Sequence, residues 1–194
     1  MSYFSLCIDL SDKRVLLIGD GPQIREKEEK LRPFGPCLVR LSALSSQDLC
    51  PRPVLVVAGD LEEEAAQLCS RLCQDRNIPV NIVDRPELCS FFFPALIHRG
   101  DLTVSLSTGG KSPAAAAFLR HRIEDQLPDQ TEQILSWMDV LRQHIRLLGT
   151  AAQRRAFLTN AAMEAFSQNR CLSESETRIL LAAHLGEYAY PLPK

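Results

Sequence analysis

The sequence predicts an α/β protein in which a small doubly wound parallel sheet is followed by an all-helical region. Three observations predict it. Short β-branched or Leu-rich runs alternate with helical patterns over the first ~110 residues, as βαβ units require. Beyond Gly110, helical patterns follow one another with no strand between them. Turns rich in glycine or carrying a carboxylate stand just past the strand-like runs, where open α/β sheets keep their ligand crevice.

The elements follow in order. Arg14-Val15-Leu16-Leu17-Ile18 reads as a buried strand and runs at once into Gly19-Asp20-Gly21. Further strands are expected at 37–41, 54–58, 79–83 and 102–106. Pro22 to Phe34 and Glu62 to Asp75 read as helices, the second with Ala65, Leu68, Cys69 and Leu72 as an apolar stripe at spacings of three and four. Ser112 suits an N-cap, and Pro113 fits the first helical position, where its missing N–H leaves no intrahelical bond unmade. That helix is expected to reach about Leu127, ahead of Pro128. From Thr131 to Leu148, the residues Ile134, Leu135, Met138, Leu141, Ile145 and Leu148 form one apolar face that Gly149 can close. Such a face is too extensive for a lone exposed helix and predicts a dimer. A further helix covers 151–168, and the capping box of Ser173 and Glu176 announces a final short one. The change of character divides the chain into a domain of residues 1–112 and a helical region of 113–194.

Composition bounds the function. With 45% apolar and 24% charged residues, the 194-residue chain reads as globular. A formal net charge of −2 supplies no basic field for nucleic acid or an anionic membrane surface. No apolar stretch approaches the roughly 20 residues of a spanning helix, and the N-terminus lacks a signal-peptide pattern, so a cytoplasmic protein is expected. The seven cysteines are scattered with no C-x-x-C pair, which argues against a disulfide framework or a zinc knuckle. Cys69 and Cys73, four apart on a helix, read as small buried apolar residues, with no further ligand at metal spacing.

Three segments carry chemistry. Gly19-Asp20-Gly21 is part of a G-x-G-x-x-G fingerprint whose third position is Ile24, a side chain unsuited to close packing of helix on strand. It reads equally as a phosphate loop or as a plain strand-to-helix turn. Ser107-Thr108-Gly109-Gly110-Lys111-Ser112 ends like a Walker A loop but has Ser105 where that motif needs its first glycine. What remains is a hydroxyl-rich turn at a helix start, able to donate backbone hydrogen bonds to carboxylates or phosphates, or a structural connection. Asp84 follows an apolar run and precedes Arg85-Pro86, so it stands as a general acid or base, or a metal or proton acceptor, at the sheet's ligand edge, or equally as a turn cap. None of the four histidines shows metal spacing.

Together these residues resemble the precorrin-2 dehydrogenase and sirohydrochlorin ferrochelatase family of sirohaem biosynthesis, found alone or as the front half of sirohaem synthase. The resemblance is carried by Val80-Asn81-Ile82-Val83-Asp84-Arg85-Pro86-Glu87-Leu88-Cys89, by Phe91 to Ala95 with Phe93-Pro94, by Arg99-Gly100 and Leu102, and by Ser105 to Pro113. Tyr3-Phe4 and Lys13-Arg14-Val15-Leu16 ahead of Gly19-x-Gly21 also fit. It covers about residues 1–128 well and the helical tail in outline.

The resemblance implies a Rossmann-like domain that binds NAD and a helical region that pairs two chains and encloses the tetrapyrrole. The implied activity is oxidation of precorrin-2 to sirohydrochlorin with hydride transfer to NAD, with Fe²⁺ insertion as a possible second reaction. It implies Asp84 as the catalytic carboxylate. It implies Gly19, Gly21, Pro22 and Gln23 with Ala58, Gly59 and Asp60 as the cofactor site. Thr108, Gly109, Gly110, Lys111 and Ser112 become the substrate turn, with Arg120, His121 and Arg122 as nearby donors for a carboxylate-rich ligand. No resident metal is implied. The chain departs from the family pattern at Ile24, at the short segment Ala43 to Pro53, at Gly59 where a Thr is usual and at Ala65 where an Asn is usual. All four departures fall on the NAD half, which sets an alternative beside the main reading: a member without NAD binding that acts as chelatase alone, or as a non-catalytic tetrapyrrole-binding or scaffold protein.

Overall fold

Val15, Leu16, Leu17 and Ile18 of the strand Arg14–Ile18 (β1) are all fully buried, so the strand is covered on both faces. Successive side chains of a strand point to opposite faces. Val15 and Leu17 share a core with Ile24 and Leu31 of helix α1 (Pro22–Leu31), while Leu16 and Ile18 share one with Ala66, Cys69 and Cys73 of helix α2 (Glu63–Gln74). The strands β2 (Cys37–Leu41), β3 (Leu55–Ala58) and β4 (Val80–Ile82) complete a sheet in the order β2-β1-β3-β4, parallel throughout. The predicted doubly wound sheet is therefore present. The direction of winding reverses between β1 and β3, and the loops after these two strands, Gly19 to Gly21 and Gly59-Asp60, stand at that switch point.

This computed structural model describes residues 4–186, so Tyr3 of the aromatic lead and the end of the 113–194 region lie outside the described residues. Contacts divide the chain into a unit of Phe4–Phe93 and a second unit that begins at Pro94, rather than at 112/113. The reason is a strand absent from the sequence-based reading, β5 (Ala95–Arg99), which pairs antiparallel with β6 (Leu102–Leu106). The segment 102–106 therefore does not extend the parallel sheet. Only Gly100 and Asp101, with Gly100 at φ 54°, separate the two strands. Antiparallel strands can be joined by so short a turn, whereas parallel neighbours need a long crossover. The burial of β6 alternates along its length, as suits a sheet with one wet face, in contrast to the continuous burial of β1.

Helix α3 (Pro113–Glu124) starts as its sequence predicts, with the Ser112 hydroxyl accepting from the Ala115 N–H at 3.1 Å and Pro113 at the first position. Helices α4 (Thr131–His144), α5 (Ala151–Gln168) and α6 (Glu174–Leu185) follow. Ser173 and Glu176 form the expected capping box on α6. Ile134, Leu141 and Ile145 are buried against Phe157, Ala161 and Ala165 of α5 and Leu180, Leu181 and Leu185 of α6. The apolar face of α4 is thus covered within the chain, and the expectation of a dimer loses the argument first made for it. On α2 the buried residues are Ala66, Cys69, Ser70 and Cys73, while Leu68 is exposed. The buried face differs from the predicted stripe and includes Ser70, whose hydroxyl donates to the Leu88 carbonyl at 2.8 Å. Cys69 and Cys73 are buried, as expected. Among the described residues no helix is long and apolar enough to cross a membrane.

Candidate functional site

The glycine loop is built by two close approaches. Gly19 has φ 107°, and a Cβ there would stand 2.3 Å from the Gly59 carbonyl oxygen, so only glycine fits. A Cβ on Gly21 would stand 1.9 Å from Oδ2 of Asp60, so the Asp60 carboxylate lies directly over the Gly21 backbone. Gly21 is the N-cap of α1, with no side-chain cap and no acidic residue in the first turn, and Pro22 is the first helical residue. The N–H groups and dipole of this helix start therefore favour an anion over Gly21. The geometry fits a phosphate group there, and Asp60 holds the place with a carboxylate of its own.

Ile24 does not crowd the loop. It is fully buried, and its Cδ1 and Cγ1 lie 3.3 Å from where a Cβ of Gly59 would be. The room that a side chain at 59 would take is filled by Ile24. Ile24 and Gly59, both departures from the pattern that the resemblance implies, thus occupy complementary space.

Asp84 follows β4 after Val83, whose N–H continues the ladder to the Ala58 carbonyl at 2.8 Å. It adopts the left-handed conformation, φ 61°, which Asp and Asn tolerate better than most residues. Its exposed carboxylate accepts a 2.5 Å hydrogen bond from Nε2 of Gln23, in the first turn of α1. The carboxylate is therefore tied to the start of α1, just past the glycine loop. Gln23 faces Asp84 rather than standing free for a cofactor, and Ala58 is buried in β3 with its carbonyl spent on Val83.

The turn around Asp84 is held from both sides. Arg85 pairs with Glu63 and donates to the Leu61 carbonyl at 3.2 Å. Cys89 Sγ accepts from the Ile82 N–H at 3.1 Å and lies 3.2 Å from the Ile82 carbonyl and 3.3 Å from that of Arg85. Burial, the largest influence, pushes the Cys89 thiol up, which keeps it a donor at neutral pH. Asn81 donates to the Phe91 carbonyl at 3.0 Å.

Lys27, one helical turn after Gln23, is a member of this site that the sequence reading missed. Its ammonium lies 5.1 Å from the centre of the Phe93 ring, a cation–π distance, and Phe93 is in turn tilted against Phe91 with ring centres 5.4 Å apart. Burial most of all, and then Lys30, lower the Lys27 pKa, while Glu26 and the Asp84 carboxylate pull it back up. The spacing of four from Gln23 is the one sequence signal that could have found it.

In the second unit, the turn 107–112 is organised by Thr108. Its hydroxyl donates to the Ser112 carbonyl at 3.1 Å and accepts from the Ser112 N–H at 3.3 Å. Gly109 and Gly110 have φ 64° and 77°, and the space beside Gly110 is open. Lys111 is exposed. Thr108 therefore shapes the turn, while the glycine backbone and Lys111 face outward. Asp84 belongs to the first unit and this turn to the second. Among the described residues no cluster of His, Cys, Asp or Glu could hold a metal ion.

Comparison with known proteins agrees on one lineage. Residues 38–95 match the family described as "Putative NAD(P)-binding", a segment that begins after the glycine loop, and residues 99–126 match "Sirohaem biosynthesis protein central". The chain is 34% identical to the sirohaem synthase of Thioalkalivibrio sulfidiphilus over 177 residues, which is 80% of this chain and 36% of that protein. It is 33% identical to the sirohaem synthase of Azotobacter vinelandii across 96% of this chain and 45% of that protein. The chain thus spans less than half the length of these curated relatives. A solved structure of SirC, a precorrin-2 dehydrogenase, superposes with a TM-score of 0.66 over 96% of this chain and all of that one, at 16% identity, and so shares the fold. Asp84 lies within the first of the two matched segments and the 107–112 turn within the second. The chain belongs to the sirohaem synthase family, in the part that corresponds to precorrin-2 dehydrogenase and sirohydrochlorin ferrochelatase.

Proposed function

We propose that this chain oxidises precorrin-2 to sirohydrochlorin with NAD as acceptor, and that the same carboxylate serves Fe²⁺ insertion into the product. The observation that carries this reading is the 2.5 Å bond from Gln23 to Asp84, which sets an exposed carboxylate beside the start of the glycine-loop helix. When bound, NAD supplies the acceptor for a hydride. Gly19, Gly21 and the N–H groups of the α1 start would hold its pyrophosphate, with the Asp60 carboxylate turned aside. Loss of two hydrogens from the substrate releases a hydride and a proton, and Asp84 accepts the proton. Chelation of Fe²⁺ releases two protons from pyrrole nitrogens, and Asp84 takes them one at a time to water.

Gln23 and the Cys89-braced turn fix the carboxylate's position; Lys27 supplies a positive charge beside it. The turn 107–112 would receive substrate carboxylates on the Gly109 and Gly110 backbone and on Lys111, at the positive end of α3. A homodimer completes the proposal, supported by Phe118 and Leu119 of α3, which are 62% and 44% exposed.

Asp84→Asn tests the reading. Asn tolerates the left-handed backbone and can still accept from Gln23, so the melting temperature should stay near that of the parent. Turnover of precorrin-2 and of Fe²⁺ insertion should fall by roughly 10²–10⁴-fold. Parental rates in both reactions would make Asp84 a turn cap and sink the proposal. A second reading, chelation without dehydrogenation, draws on the Asp60 carboxylate over Gly21, and chelatase activity with no NADH formed is the result that would favour it.

A further inference from the structure

Helix α4, the turn that follows it and helix α5 line an open cleft of about 550 Å³ that belongs to none of the features above. Arg142, Arg146, Arg154 and Arg155 line it, no acidic residue does, and Ile145 and Leu158 supply apolar wall. Arg154 is held by the carbonyls of Leu148 and Gly149, at 3.0 and 2.7 Å. Among the described residues Arg142, Arg146 and Arg155 form no ion pair.

A structural role accounts for part of this. Arg142 stands in the last turn of α4, where a cation complements the helix dipole. Arg154 and Arg155 stand near the start of α5, where the dipole opposes a cation, and no acidic residue in that first turn offsets them. Guanidinium groups do not discharge at any ordinary pH, so the cluster cannot relieve its repulsion by losing protons. In a chain of net charge −2, this is a local excess of positive charge with no ion-pair partner among the described residues.

We propose that the α4–α5 cleft binds a small organic polyanion, a molecule with closely spaced carboxylates or phosphates on an apolar body. Arginine matches both groups through paired N–H donors, and the volume lies within the roughly 300–1,000 Å³ of small-molecule sites. The apolar wall selects an organic ligand over a bare inorganic ion. Nothing in this inference rests on Asp84 or the glycine loop.

Calorimetric titration of the full chain at low ionic strength tests it with two probes, uroporphyrin for polycarboxylates and metal-free ATP for phosphates. At least one should bind, and the tighter of the two identifies the source of the ligand. The Arg146→Ala/Arg155→Ala double variant should weaken that binding tenfold or more, whereas Arg146→Lys/Arg155→Lys, which keeps the charge, should lose less. Both positions are exposed, and a circular dichroism spectrum equal to that of the parent shows that the variants fold. Failure of both probes to bind the parent, or parental affinity in the double alanine variant, overturns the proposal.

Discussion

Ile24→Ala is expected to destabilise the first unit without improving its hold on a dinucleotide. Ile24 is fully buried and fills the space beside Gly59. Truncating a buried Ile to Ala costs about 2–5 kcal/mol, the upper part applying where the site cannot collapse. Gly19 is fixed at φ 107° against the Gly59 carbonyl, so collapse is restricted here and a loss of about 3–4 kcal/mol is expected. For a unit of this size that lowers the melting temperature by more than roughly 10 °C. Gly59→Ala alone brings a Cβ to 3.3 Å from two Ile24 carbons and 3.4 Å from Val83 Cγ2, a mild overpacking of about 1 kcal/mol. In the double variant the new methyl has room, so the combined loss should fall short of the sum by about 0.5–2 kcal/mol. Urea unfolding followed by far-ultraviolet circular dichroism measures all three. The single tryptophan, Trp137, packs in the helical core and supplies a reference for the other unit in the same samples. Strict additivity, or a parental urea midpoint for Ile24→Ala, would refute the complementarity of Ile24 and Gly59. A tenfold gain in NAD affinity for Ile24→Ala would show that the side chain does crowd the cofactor.

Further expectations concern the loop, the turn and the last helix. Asp60→Ala removes the carboxylate over Gly21; two charges about 4 Å apart near a protein surface repel by roughly 1–4 kcal/mol, so NAD should bind about tenfold tighter by calorimetry, and unchanged affinity counts against a pyrophosphate over Gly21. Cys89→Ala leaves the Ile82 and Arg85 groups short of a partner and should cost about 1–2 kcal/mol, with faster amide exchange at Ile82, while Cys89→Ser should lose less. The Glu176 carboxylate is held well below its usual range by Arg170 first and by Ser173 next. Since its folded pKa is depressed, its contribution to stability is present above the ordinary glutamate value of 4.5 and is lost as pH falls. Glu176→Gln should therefore flatten the acid dependence of α6 unfolding below about pH 4.5, and an unaltered acid limb would remove the carboxylate from that role.

What the sequence by itself determined is local. The start of α3 at Ser112-Pro113, the Ser173 to Glu176 capping box, the buried strand at 14–18 and the strand at 37–41 depend on residues within a turn or two of one another, and side-chain periodicity reveals them. So does the residue string that carries the family resemblance. The pairing of β6 was not legible, because a strand's partner is chosen across the chain, and only the Gly100-Asp101 turn with the alternating burial of 102–106 shows that β5 takes it. The site was legible as separate points and not as an arrangement. Gln23 and Asp84 stand 61 residues apart, and their contact exists because parallel strands bring the loops after β1 and β4 to one edge of the sheet. The Asp60 carboxylate over Gly21, the thiol that braces the Asp84 turn and the fit of Ile24 to Gly59 arise in the same way. Each depends on a distance between segments remote in sequence, and periodicity along one segment carries no information about such distances.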